Sequence, residues 1–173
     1  YCKVGGIAGT NAGVIRGTIS GQTERIASVV SCSLMMDKAS IASMGGAAGE
    51  NTGKIVNIAV DAEIQGNLGS SETGYGGIAG YSGYRSRGAL EEAVSNAESQ
   101  DEAYPVLITN CSFDGKINAS GSSGAPVRVG GITGINAYGS KIENCYIGVR
   151  NVDAQGNSSD LTFVTAGDYV NKT

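Results

Sequence analysis

The sequence predicts an all-β fold, a right-handed parallel β-solenoid carrying one short inserted helix. Three observations predict it: four copies of one glycine-rich string, a short stretch of alternating residues behind each copy, and an unusual composition. The chain holds 28 Gly in 173 residues yet remains 40% hydrophobic and only 16% charged. Glycine here follows no three-residue period, which excludes collagen, and the apolar content excludes a disordered tail. Many tight corners between short strands, closed around a core, satisfy both facts.

The first copy reads Val4-Gly5-Gly6-Ile7-Ala8-Gly9-Thr10-Asn11-Ala12-Gly13, and the second Met44-Gly45-Gly46-Ala47-Ala48-Gly49-Glu50-Asn51-Thr52-Gly53. The third is Tyr75-Gly76-Gly77-Ile78-Ala79-Gly80-Tyr81-Ser82-Gly83. The fourth is Val129-Gly130-Gly131-Ile132-Thr133-Gly134-Ile135-Asn136-Ala137-Tyr138-Gly139. Repeats starting near residues 4, 44, 75 and 129 make residues 1–173 a single solenoid, since such spacings belong to stacked-repeat architectures. A second element follows in each: Lys54-Ile55-Val56-Asn57-Ile58-Ala59, Leu107-Ile108-Thr109-Asn110-Cys111-Ser112 and Lys141-Ile142-Glu143-Asn144-Cys145-Tyr146, with Val29-Val30-Ser31-Cys32-Ser33 as a weaker version. Period-two alternation over such lengths is the mark of a half-buried strand. The expected coil is therefore one strand carrying Gly-Gly-Ile-Ala-Gly, an Asn-x-Gly turn using positive φ, and a returning strand. The paired glycines let backbones approach where a Cβ would clash.

Between turn and second strand, repeats one and three are expanded, by residues 18–28 and 85–105. The expectation is that both excursions leave at one corner and gather on one face, which in solenoids is often the binding face. Cheap tolerance of loop insertion explains the same fact without function. Ala89 to Gln100 in the second excursion is rich in helix formers, with Leu90, Ala93, Val94 and Ala97 on one face. Glu91 and Glu92 are placed in its first turn, and Pro105 ends it. Residues 22–36 of the first excursion also fit a helical face, through Ile26, Val29, Val30 and Leu34.

Cys32, Cys111 and Cys145 share the register of Ile58, which predicts a ladder of reduced, buried thiols; bridges are the alternative. Asp61 and Asp114 share another register. Stacked carboxylates can hold calcium or act as an acid/base pair, whereas solvated strand-end acids are the simpler reading. Tyr84 and Tyr138 fall at equal distances behind their glycine pairs, with Tyr81, Arg85 and Arg87 crowding the same corner. Aromatic faces beside Arg can hold a sugar ring or peptide, or can simply pack beneath the helix.

The Gly-Gly-Ile-Ala-Gly-x-Asn-x-Gly-x-Ile-x-Asn-Cys string resembles the GLUG motif, a repeat of bacterial surface proteins and of some immunoglobulin A peptidases. The resemblance covers all four repeats. Repeats one and three depart from it by insertion, and repeat two has Ile58 in place of Cys. It implies extracellular display and a β-helix-like stack, and it supplies no catalytic residue.

The remaining composition narrows function. A net charge of −4, with a pI near 4.8, argues against nucleic acid, which needs a basic surface. No histidine is present, which removes Ser-His-Asp and Cys-His nucleophiles and His-ligated zinc. No apolar run is long enough for a membrane helix. The chain opens on Tyr1 in mid-pattern, as an excised or mature internal module would. The expected function is a non-catalytic extracellular module of a bacterial surface protein, an adhesin or stalk, with no cofactor. Its expected partners are a host glycan or protein, or neighbouring domains. The alternative is a polysaccharide-binding or polysaccharide-cleaving β-helix. An ice-binding solenoid would need Thr-x-Thr ranks, which are absent.

Overall fold

The computed structural model describes residues 2–18, 29–37, 42–68, 73–97, 106–121, 127–152 and 158–163. Coil one consists of β1 (Cys2–Gly5), β2 (Ala8–Asn11), β3 (Val14–Arg16) and β4 (Val29–Asp37). Coil two repeats this with β5 (Ala42–Gly45), β6 (Ala48–Asn51), β7 (Lys54–Val56) and β8 (Ala59–Leu68). Coil three is β9 (Thr73–Gly76), β10 (Ala79–Ser82), a helix α1 (Arg87–Ser95), β11 (Val106–Thr109) and β12 (Ser112–Gly121). Coil four is β13 (Val127–Gly130), β14 (Thr133–Asn136), β15 (Ser140–Glu143) and β16 (Tyr146–Val152), followed by β17 (Ser158–Phe163). Equivalent strands stack into four sheets, β1-β5-β9-β13, β2-β6-β10-β14, β3-β7-β11-β15 and β4-β8-β12-β16-β17. All pairs are parallel except β16 with β17. The fold is a parallel β-solenoid with one short inserted helix.

Stacking puts like residues on like. Ile15, Ile55, Ile108 and Ile142 form one column of the third sheet, and Val30, Val60, Phe113 and Ile147 one column of the fourth. Ile55 and Ile108 are fully buried, as are Met44, Tyr75 and Ile78. Each such side chain contributes about 1.5–3 kcal/mol by leaving water. A single coil could not supply this burial, so stability resides between coils.

The glycine string is not one strand, as expected, but two strands joined at a corner. Gly5, Gly45, Gly76 and Gly130 end the strands of the first sheet in register, so the four pairs do lie on one side. Gly6, Gly46, Gly77 and Gly131 form the corner itself. Gly9, Gly49, Gly80 and Gly134 sit in the second sheet. A Cβ on Gly45 would lie 2.6 Å from the Cα of Ala79, and one on Gly134 would lie 2.5 Å from the Tyr75 nitrogen. The backbones of the first two sheets thus approach too closely for any side chain between them.

In coils one and two the Asn-x-Gly corner works differently from the expectation, whereas in coils three and four the corner does use a positive-φ glycine, Gly83 and Gly139. Asn11 and Asn51 accept from the backbone N–H of Gly13 and Gly53, at 3.2 and 3.3 Å, so the side chain makes the bend rather than positive φ. Their side chains then stack. Asn11 donates to Asn51 at 2.8 Å, Asn51 donates to Ser82 at 3.3 Å, and the Ser82 and Ser140 hydroxyls meet at 2.7 Å. Positive φ also recurs one corner later, at Asn57, Asn110 and Asn144, with values of 58°, 51° and 49°. Asn is the non-glycine residue best suited to that conformation.

Two register expectations are corrected. Val29 pairs with Ala59 and Cys32 with Ala62, so Cys32 lies four residues beyond the Ile58 register. The strand equivalent to Lys54–Val56 in coil one is Val14–Arg16, with Ile15 beside Ile55. The first excursion therefore follows the third strand of its coil, whereas the second follows the second strand. They leave from different corners. The helical reading of residues 22–36 fails for 29–36, which form β4; residues 22–28 lie outside the described residues.

Candidate functional site

The corner between β10 and α1 is built by backbone requirements first. Ser82 ends the strand, Gly83 turns with φ of 118°, and Tyr84 forms an antiparallel bridge with Tyr138, its N–H donating to the Tyr138 carbonyl at 2.8 Å. Tyr84 and Tyr138 do meet, across this bridge rather than as rungs of a parallel ladder. Gly139 follows with φ of 74°, and a Cβ there would lie 2.6 Å from Leu90 Cδ1. That glycine answers two demands at once, a left-handed backbone and room for the helix's anchoring side chain.

Helix α1 starts at Arg87, earlier than its strongest helix formers suggest, because Ser86 caps it by accepting from the Ala89 N–H at 3.2 Å. Glu91 and Glu92 consequently lie beyond the first turn. Leu90, Ala93 and Ala97 are half-buried, while Val94 is exposed. Pro105 and residues 98–104 lie outside the described residues. Arg87, Leu90, Glu91, Val94 and Ser95 lie together along one face of α1. Arg87 Nε donates to Glu91 Oε1 at 2.8 Å, both side chains being well exposed.

The other residues of this corner are tied to the wall of the solenoid. Tyr81 is buried, and the Arg85 guanidinium lies over its ring at 4.4 Å. Arg85 also meets Glu50 at 3.2 Å, and Lys3 meets the same oxygen of Glu50 at 2.8 Å. Glu50 is the register partner of Tyr81, and its side chain is only 8% exposed. Arg85 thus closes a cation–carboxylate–cation cluster spanning three coils instead of presenting bare positive charge. Partial burial lowers its pKa from the ordinary guanidinium value and raises that of the Tyr84 phenol. Among the expected contact residues, Tyr138, 53% exposed, and Arg87 face solvent most openly, with Tyr84 half-buried between corner and helix. Glu50 carried no sequence signal, since Thr10, Tyr81 and Ile135 fill its position in the other repeats; the register of Lys3 holds Ser43, Gly74 and Arg128, so its charge recurs only in the fourth repeat.

Asp61 and Asp114 stand side by side in the fourth sheet, as their register predicts. Asp61 is exposed and Asp114 half-buried. Among the described residues, no three His, Cys, Asp or Glu side chains converge to hold a metal ion. The cysteines are all free thiols: Cys2 exposed, Cys32 and Cys145 half-buried, and Cys111 buried.

Fold and corner together define a repeat protein whose wall is structural and whose variation sits at its corners. No protein-family model matches the chain, and neither a curated protein nor a solved structure does. No helix among the described residues is long and apolar enough to cross a membrane.

Proposed function

We propose that this chain is a non-catalytic repeat module of a bacterial surface protein, displayed outside the cell and related to the GLUG-motif proteins, acting as an adhesin or a stiff stalk. The observation that carries the reading is the in-register stack of four coils, with an aromatic corner and helix added to one side. A stack of hydrogen-bonded coils resists bending and offers an extended contact surface. Tyr138, Tyr84 and the exposed face of α1 form its most distinctive surface, with apolar area and hydrogen-bonding edges suited to a host glycan or a protein segment. The polysaccharide-binding alternative draws on the Asp61–Asp114 pair of the long fourth sheet.

Glycan and mucin arrays probed with the purified chain test the reading. An adhesin retains a defined ligand class, whereas a spacer retains none. An aromatic anchor at an interface typically costs about 2 kcal/mol or more to remove. Tyr138→Ala and Tyr84→Ala should therefore weaken such binding by tens of fold while circular dichroism stays unchanged. Unaltered affinity in both variants would move the site elsewhere. Turnover of a polysaccharide that disappears in Asp61→Asn or Asp114→Asn would overturn the non-catalytic assignment.

A further inference from the structure

Two of the free thiols occupy equivalent places on consecutive coils. Each follows an Asn of positive φ, Asn110 or Asn144, so each leaves its corner in the same direction. Cys111 Sγ lies 3.2 Å from the Thr109 carbonyl, and Cys145 Sγ lies 3.2 Å from the corresponding Glu143 carbonyl. One coil down, the contacts repeat at 3.6 Å to Ile55 and 3.5 Å to Ile108. The corners are tied by a backbone hydrogen bond from Tyr146 to the Cys111 carbonyl at 2.9 Å, and the next residues, Ser112 and Tyr146, are register partners. In-register parallel neighbours stand about 4.8 Å apart, inside the Cα range of roughly 4.4–6.8 Å that disulfides span. The pair has no third member. Coil two carries Ile58 in this register, and Cys32 lies in the Ala62 register instead.

We propose that Cys111 and Cys145 form a paired redox site, which a low-molecular-weight disulfide converts reversibly into a cross-strand bridge joining coils three and four. Exposure sets the order of events. Cys111 is fully buried, so the small reagent reaches the half-buried Cys145 first. A hydrogen bond from Cys111 lowers the Cys145 pKa from the ordinary thiol value, while the same bond and burial push Cys111 up. The Cys145 thiolate attacks one sulfur of the small disulfide, making a mixed disulfide and releasing one small thiolate. Cys111 then gives up its proton and attacks the Cys145 sulfur, expelling the second small thiolate. Two protein thiols are oxidised, one small disulfide is reduced, and the two protons pass to the two thiolates that leave. Closing the bridge draws the Cβ atoms in by about 1 Å from the ladder spacing toward disulfide geometry, and such strained bridges are readily reduced again.

The test starts from the reduced chain, incubated with oxidised glutathione at graded ratios, quenched by acid alkylation and mapped after trypsin. The expected result is one internal bridge between the peptides ending at Lys116 and Arg150, loss of one pair of hydrogens from the summed mass of those two peptides, and a raised melting temperature. Re-reduction should reverse all three. In Cys111→Ala, Cys145 should stop at the glutathione mixed disulfide. In Cys145→Ala, Cys111 should remain a thiol. The Cys145 change lies at a half-buried position and keeps the test readable should the Cys111 variant fail to fold. A wild-type chain in which both thiols persist, or in which Cys145 stays mixed with glutathione beside a free Cys111, would overturn the proposal.

Discussion

Replacing Tyr75 by Phe should make the protein more stable, although it removes a polar group. The Tyr75 ring is fully buried, and its hydroxyl finds no hydrogen-bond partner among the described residues. It abuts Gly66 of β8, where a Cβ would lie 2.5 Å from the ring carbon bearing that hydroxyl. A buried hydroxyl that has given up water without replacement costs about 1–3 kcal/mol. Deleting the oxygen leaves a void of roughly 10–15 Å³, which at about 24 cal/mol per Å³ costs only a few tenths of a kcal/mol. The net expectation is a gain of about 1 kcal/mol, or a rise of roughly 2–4 °C in melting temperature for a chain of this size. Burial also pushes the Tyr75 pKa up to about 12 from 10. A raised acid pKa means that the folded state holds the proton more tightly. The phenol's contribution is therefore complete below about pH 10, falls as pH rises from there, and is lost above about pH 12. Wild-type stability should decline over that interval more steeply than that of Tyr75→Phe. Urea titrations of both proteins at neutral and alkaline pH measure each effect through the midpoint at constant slope. A Phe variant less stable than wild type at neutral pH would mean that the hydroxyl has a partner, and the argument would fail.

Other expectations follow from the same geometry. Gly134→Ala should destabilise severely or prevent folding, because its Cβ would enter the backbone of Tyr75, whereas Gly13→Ala meets nothing within 4 Å and should fold normally; thermal melts of the pair provide the comparison. Glu50→Gln should cost about 1–2 kcal/mol by weakening charge-assisted contacts with Lys3 and Arg85, measurable in urea. With the chain reduced, an aromatic disulfide reagent at low concentration should label exposed Cys2 at once and Cys111 only after unfolding. Cys32 should react slowly, since burial first and Asp61 second raise its pKa; fast labelling would mean that the fourth sheet opens locally.

Repeat number, the common register of the paired glycines and the parallel stack were all legible in the chain, because each copy carries its own Gly-Gly and Asn marks. Errors arose where period-two alternation is ambiguous. Sliding Val29–Cys32 by four residues keeps every side chain on the same face, so alternation alone accepts both registers. The short Val14-Ile15-Arg16 segment resolves it, because Ile15 must lie beside Ile55, yet three residues give almost no periodic signal. The aromatic corner was legible in part. Equal spacing behind the glycine pairs brought Tyr84 and Tyr138 together, but the tie of Arg85 to the wall depends on Glu50, which fills the variable position between Gly49 and Asn51 of the second glycine string. Helix α1 began early because a serine cap outweighs the poor propensity of Gly88.

The two excursions leave from different corners, and neither disturbs the ladder around it: β10 keeps register with β6 and β14 although Gly83 to Pro105 intervene before β11. Corner length and wall register are therefore independent variables in this protein. Such a scaffold accepts foreign peptides at its bends without a change of reading along its sides. The β3–β4 and β10–β11 bends are two natural sockets at which an engineer can display an epitope or a binding loop at a chosen height along the stack of coils.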